Sequence, residues 1–419
     1  FTSHELTYYI LNLPSNKFEL WAWMESDRLL DSVFREFYAE RDVVHEERRL
    51  NVESTPTGIF QEQFDAMFWQ SSPYSWPVIG WPSDLNSYTL EQAKTYFDIY
   101  YQPGNLVGVI VGDFDPQKIK PIIQRYFSRL KPGDQPVPPV VTTEMPQLAE
   151  KRMVADCNCQ PQVEVRYHTV PFGHQDSFAL EMLAELLNGR TGRLYKSLVE
   201  ELDIASNVSS SAGGFGAPAK YAGQFSFTAE VKGNADPLDL EEAWYRELEK
   251  LQQQPIDEYE LQKVKNRVAV DAFRSLQDNF FLMIQLGVYE SMGGWEQINT
   301  RPGRLEEVTA QDIQRVANTY FSPTNRSVGV YRRKYITVDA EPALMALHPM
   351  QRDQAVALLE RMKAYPLDSL IRARAQLEDR MSQVPPADRE AVIPMFRYLL
   401  KKVDERIATL SDTKDGSQP

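Results

Sequence analysis

The chain has 419 residues, 42% of them hydrophobic, and a formal charge of −14. That length provides for two to four domains with cores of their own. No apolar run reaches the ~18 residues of a membrane span, and the acidic balance argues against nucleic acid and anionic membrane as partners.

In chain order, Phe1 to Asn12 alternates, with Leu6, Tyr8 and Ile10 against Thr7, Tyr9 and Leu11, and predicts a strand. Helices are expected over 17–30 and 33–54, another over 61–70, and a Pro/Trp-rich loop over 71–84. A helix over 90–100 precedes a buried strand over 106–112. Asp115 is placed to N-cap a helix over 116–130, with Pro116 at its first position. From Leu30 through Val33 and Phe37 to Val44 the apolar residues fall on a ladder of threes and fours whose remaining steps land on Glu40 and Glu47. Seven residues is two turns, so both carboxylates are predicted to point the way the core-facing residues point. A buried carboxylate needs a partner, a hydrogen bond or a metal. A Glu/Arg run of this kind is also what a solvated helix face looks like.

An internal repeat divides the chain. Thr89, Tyr100-Tyr101, Pro103 and Asn105 recur as Thr309, Tyr320-Phe321, Pro323 and Asn325, at one constant offset of 220. Each copy reads helix, aromatic pair, proline turn, strand. The Pro-rich stretch 131–139 is a linker by composition, within 131–150. The second copy, 151–334, reads as strands at 152–156 and 162–169 and a helix at 177–188. A turn at 188–192 and a helix at 193–201 follow, then strands at 204–213 and 221–231 and helices at 237–253, 257–275 and 277–292. By the same offset Glu40 maps to Glu260 and Glu47 to Arg267. The second copy opens earlier relative to its shared helix than the first does, so the first, 1–130, is expected to lack about 70 residues at its start. Residues 335–419 are a helical appendage, with helices at 349–364, 366–382 and 387–410 and an apolar stripe through Met395, Phe396, Leu399, Leu400 and Val403. The two cysteines, Cys157 and Cys159, stand in C-x-C spacing in a predicted strand and read as free thiols.

The words Met24-Glu25-Ser26-Asp27-Arg28-Leu29-Leu30, Val33 through Val44, Pro73-Tyr74 and Ile79-Gly80-Trp81 closely resemble the pitrilysin/insulinase family of zinc peptidases, the inverzincins, and most of all its bacterial processing-protease branch. The resemblance covers roughly residues 1–334. In that family one helix carries H-x-x-E-H and a second, about 75 residues later, carries E-R-x-x-x-x-x-E. Two histidines and the last glutamate bind zinc, and the inner glutamate is the general base.

The resemblance implies an α+β fold: two homologous mitochondrial-processing-peptidase-like domains, each a sheet with helices packed on one face, closing as a chamber over peptides or small unfolded proteins. It implies zinc as cofactor, Glu47 as a metal ligand and Glu40 as the carboxylate that orients a ligand histidine. It implies that substrate adds as a strand at an edge near Phe1, Thr2 and Ser3. It admits a homodimer, or a heterodimer with a related subunit, and a non-catalytic partner or scaffold subunit as the rival reading. The sequence leaves the compartment open, with a periplasmic or otherwise exported location as the guess. The H-x-x-E-H half is missing. The five histidines, His4, His45, His168, His174 and His348, include no pair with ligand spacing on a helix, so the chain alone is expected to be inactive. Relatives place Arg and Tyr in the second copy where this chain has Val199 and Ser206, so no residue is assigned to polarising the substrate carbonyl.

Overall fold

The computed structural model describes residues 1–157, 159–213, 219–233, 235–333, 341–347, 349–362, 365–386 and 389–415. They form two compact units, Phe1–Arg333 and Lys334–Pro419. The protein is α+β. Helices α1 (Phe18–Leu30), α2 (Phe37–Arg48), α3 (Gly58–Phe68), α4 (Pro82–Ser87), α5 (Leu90–Tyr100) and α6 (Pro116–Phe127) come first, with a wide turn at Arg49–Glu53 extending α2. Strands β1 (Lys151–Cys157) and β2 (Gln162–Thr169), helix α7 (Asp176–Leu187), and strands β3 (Ala205–Gly213) and β4 (Gly223–Val231) follow. Next come α8 (Pro237–Gln253), α9 (Glu258–Ser275), α10 (Asn279–Ser291), α11 (Gln297–Glu306), α12 (Ala310–Tyr320) and β5 (Arg326–Arg333). The second unit holds α13 (Pro342–Met345), α14 (Pro349–Met362), α15 (Leu367–Ser382) and α16 (Arg389–Asp415). Its core gathers Leu344, Leu370, Leu377, Leu399 and Val403. No described helix is long and apolar enough to cross a membrane.

The five strands form one sheet in the order β1-β5-β2-β4-β3, with β1 parallel to β5 and the other pairs antiparallel. Alternation gives this sheet two unlike faces. Val163, Val165, Tyr167, Phe225, Phe227 and Ala229 turn to one side and are closed over by α7, α8 and α12. There Trp244 of α8 stacks on Phe227 with ring centroids 4.7 Å apart. The other face is polar along β2 and β4, and α3 crosses it. Phe60 and Phe64 lie against Gly329, where an added Cβ would come within 3.2–3.3 Å of their rings. Arg166, 1% exposed, reaches Asp65 of α3 at 2.5 Å and Glu164 at 2.6 Å. A helix of the first half thus seals the sheet of the second.

The repeat is visible in hydrogen bonds. Thr89 and Thr309 each cap their helix in a reciprocal box with the residue three positions on, Gln92 and Asp312. Asn105 and Asn325 each donate to the carbonyl five residues earlier, at 2.9 and 2.7 Å. Burial differs. On α12 Ala310, Ile313, Val316 and Ala317 are buried, whereas on α5 Leu90, Ala93 and Phe97 are half-buried and Tyr96 is 57% exposed.

Two predicted strands are absent. Residues 106–112, the counterpart of β5, pair with no strand. Phe1–Asn12 folds back on itself: Thr2 and Thr7 form one isolated bridge, and Tyr8 N donates to the Phe1 carbonyl at 2.9 Å. Alternation describes a half-buried ribbon, but a strand also needs a neighbour for its amides and carbonyls. No described strand lies beside either segment. The first half therefore shows no sheet among the described residues.

The reading of the cysteines as free thiols is also corrected. Cys157 and Cys159 are disulfide-bonded, with Cα atoms 5.2 Å apart. In a continuing strand residues two apart stand about 6.6 Å apart; here β1 ends at Cys157, and the approach falls in the bonding range. Alkylation of the unfolded, unreduced protein is expected to label no thiol, and two after reduction. Labelling before reduction would contradict the bond.

Candidate metal-binding helix

Helix α2 is docked by its arginines. Arg48, 4% exposed, makes a two-pronged pair with Glu62 of α3, at 2.5 and 2.8 Å, and donates to the Gly80 carbonyl at 3.0 Å. The Glu62 carboxylate beside it raises the Arg48 pKa further. Arg41 Nη1 reaches the Asn86 and Tyr88 carbonyls at 3.3 Å. The packed stripe is therefore Phe37, Arg41, Val44 and Arg48, one position round from the predicted ladder.

Glu40 and Glu47 are exposed, and neither side chain has a hydrogen bond or ion pair among the described residues. This corrects the expectation that they point into a core. Leu30 and Val33, on the same ladder, are 39% and 64% exposed. Leu30 closes α1 and Val33 precedes α2, so the helix expected over 33–54 begins only at Phe37; of its ladder Phe37 and Val44 are half-buried, whereas Glu40 and Glu47 are exposed.

The counterpart helix in the second half is covered. On α9 Glu260 receives two bonds from Arg193, at 2.6 and 2.9 Å, and Arg267 reaches the Glu185 carboxylate of α7 at 2.9 Å. The positions matching Glu40 and Glu47 therefore look toward α7 and the turn after it.

The remaining predicted residues scatter. Phe1 is 62% exposed and stacks on Tyr8, and Ser3 N donates to the Leu6 carbonyl at 2.9 Å, so Phe1, Thr2 and Ser3 form no sheet edge. His4 Nε2 lies 3.0 Å from the Trp76 carbonyl, and the His174 ring accepts from Asp176 N at 3.1 Å. His45 is half-buried on α2. His168 stacks on Phe68 at 4.0 Å and meets Trp69 edge-on at 5.2 Å. Burial pushes its imidazole down to about 4. His348 lies outside the described residues. Val199 packs against the main core, and the Ser206 hydroxyl is 3.4 Å from the Glu230 and Val231 carbonyls.

A catalytic zinc takes three protein ligands. Among the described residues no cluster of three or more His, Cys, Asp or Glu side chains exists. This donor set does not complete a zinc site, and no catalytic step follows from it alone. Sequence reasoning missed Arg48 and the Arg267–Glu185 pair. Arg48 lies four residues after Val44 but one residue past Glu47, off the ladder that the sequence predicts.

The family model for the peptidase M16 inactive domain matches residues 87–268. The chain is 27% identical over 329 residues to the zinc protease PqqE of Helicobacter pylori, covering 77% of this chain and 73% of that protein. It is 22% identical to an uncharacterized zinc protease of Rickettsia felis, covering 78% of each. Among solved structures, the crystal structure of a protease from Helicobacter pylori superposes with a TM-score of 0.70 at 25% identity, over 76% of this chain and 77% of that one.

Proposed function

We propose that this chain, which is similar to M16 zinc proteases over about three quarters of its length, carries the carboxylate half of a zinc endopeptidase centre. Glu47 supplies one metal-binding carboxylate. Glu40, two turns earlier on the same helix, accepts the ring N–H of a ligand histidine and holds its tautomer and orientation. Two histidines and the general-base glutamate come from an H-x-x-E-H segment outside these 419 residues. Zinc, when bound, supplies a Lewis acid for peptide hydrolysis. The substrates are peptides or small unfolded proteins, held between a first half at 1–130 and a homologous non-catalytic half at 151–334, joined by 131–150.

One observation carries this reading. Two partnerless carboxylates sit at helix positions whose repeat counterparts are both engaged, by α7 and the turn behind it. The exposed Tyr96 and unpaired 106–112 on the same half agree, since their counterparts are buried or paired. Strand addition at Phe1–Ser3 would first require that segment to open.

The test is zinc content and chelator-sensitive peptide cleavage by the complete gene product. Near-stoichiometric zinc is expected. Glu47→Gln should lose zinc, because an amide is a poor, uncharged ligand. Glu40→Gln should keep most zinc while activity falls about 10–100-fold. Full zinc and activity in Glu47→Gln would sink the ligand assignment. An upstream coding sequence without H-x-x-E-H, or a zinc-free protein, would leave a non-catalytic subunit.

A further inference from the structure

Strands β1 and β3 are the two edges of the sheet, and an edge strand offers a row of N–H and C=O groups to any other extended chain. Charged side chains blunt the β1 edge: Lys151, Arg152 and Asp156 all stand in it. β3 reads Ala-Ser-Asn-Val-Ser-Ser-Ser-Ala-Gly and carries neither a charge nor a proline. A register shift between Ala205 and Asn207 interrupts only its start. Farther along, Ser209 is exposed, and Val208 and Ala212 are half-buried.

The middle of this edge is occupied from within the chain. Ser210 N donates to Asn188 Oδ1 at 2.8 Å, and Asn188 Nδ2 donates to the Ser210 carbonyl at 2.7 Å. One carboxamide thus meets both backbone groups of one residue, as a residue of a neighbouring strand does in a hydrogen-bonded antiparallel pair. Asn188 is itself held in place. It stands just past the end of α7, with its own N–H on the Ala184 carbonyl at 3.1 Å. Because Ser210 turns both groups away from β4, Val208 and Ala212, two positions to either side, do the same. Among the described residues no hydrogen bond meets the backbone of either on that side.

We infer that the Asn188 carboxamide takes the place of a neighbouring strand and keeps β3 from pairing edge to edge with β3 of a second copy of this chain. The pairing it prevents is self-complementary. An antiparallel match centred on Ser210 sets Val208 of one copy against Ala212 of the other, giving three pairs and about six hydrogen bonds, with no like charges opposed. With Asn188 in place the central pair is lost and a side chain stands between the strands. The inference is independent of the zinc reading.

The test measures self-association of the 419-residue chain by sedimentation. Asn188→Ala is expected to raise the association constant at least about tenfold over the parent. Adding Ser209→Lys should return it to the parent value, because the pairing would bring two lysines diagonally together. A folded Asn188→Ala variant that associates no more than the parent overturns the inference. So does association that Ser209→Lys leaves untouched, which would come from surface exposed elsewhere. If Asn188→Ala does not fold, Asn188→Ser carries the same comparison, since one hydroxyl cannot meet both Ser210 groups, and an unchanged association constant there overturns the inference as well. In the parent, the Ser210 amide is expected to exchange its hydrogen more slowly than the amides of Val208 and Ala212; equal rates would remove the plug itself.

Discussion

Arg166→Met is expected to destabilise the 1–333 unit by about 3–5 kcal/mol, read as a lower urea midpoint. The guanidinium is almost wholly buried between Asp65 at 2.5 Å and Glu164 at 2.6 Å, over the Phe64 ring at 4.6 Å. Methionine keeps most of the volume and leaves two inward carboxylates facing each other without a cation. Burial already holds the Asp65 carboxyl above the usual carboxylate range, even with Arg166 opposing it. The triple variant Arg166→Met/Asp65→Asn/Glu164→Gln should recover most of the loss, because an uncharged packing of similar volume is often as stable as the ion pairs it replaces. A single variant as stable as the parent would show that solvent reaches the site.

Acidification should weaken the same unit through His168. Its folded-state pKa is about 4, against 6.5 when solvated, because the ring is buried against Phe68 and Trp69. Glu144 opposes the shift and Lys151 adds to it. The depressed pKa means the unfolded chain takes up the proton first. Stability is complete above pH ~6.5 and falls as pH drops toward 4, by about 3 kcal/mol. His168→Phe should remove that part of the pH dependence while leaving stability at pH 7.5 little changed. Parallel pH profiles for the two proteins would refute it.

Helices and caps were legible because their signals are local. Thr89 and Thr309 box their helices, Asp115 caps α6 by accepting from Gln117 N, and α8 begins and ends as its pattern predicts. Strands in the second half were legible for a different reason: each finds a neighbour. Where none stands beside it, as at 106–112, the same Val/Ile pattern forms no strand. At the candidate site the spacing of Glu40 and Glu47 correctly put them on one face. Which way that face points depends on contacts made elsewhere in the chain. Here a buried arginine, Arg48, bonds Glu62 and the Gly80 carbonyl and so faces the packed side of α2, and apolar periodicity does not anticipate such a partner. The Cys157–Cys159 bond was missed because it depends on where β1 stops, a boundary that alternation does not mark.

The crossing of α3 has a consequence for how the protein comes apart. This helix belongs to the first half by sequence, yet its apolar face is spent on Gly329, Tyr331 and the strand that carries Arg166. The linker is fastened to the same place: Glu144 accepts from the backbone amides of Gln70, Ser71 and Ser72 at 2.8–3.1 Å. A protease that cut the chain within 131–139 would therefore leave two fragments that stay together. Neither would be a natural minimal domain: the carboxy-terminal piece would lose the lid of its sheet, and the amino-terminal piece would expose a row of phenylalanines. The repeat marks how the gene was built, whereas the cooperative unit of folding runs across the seam.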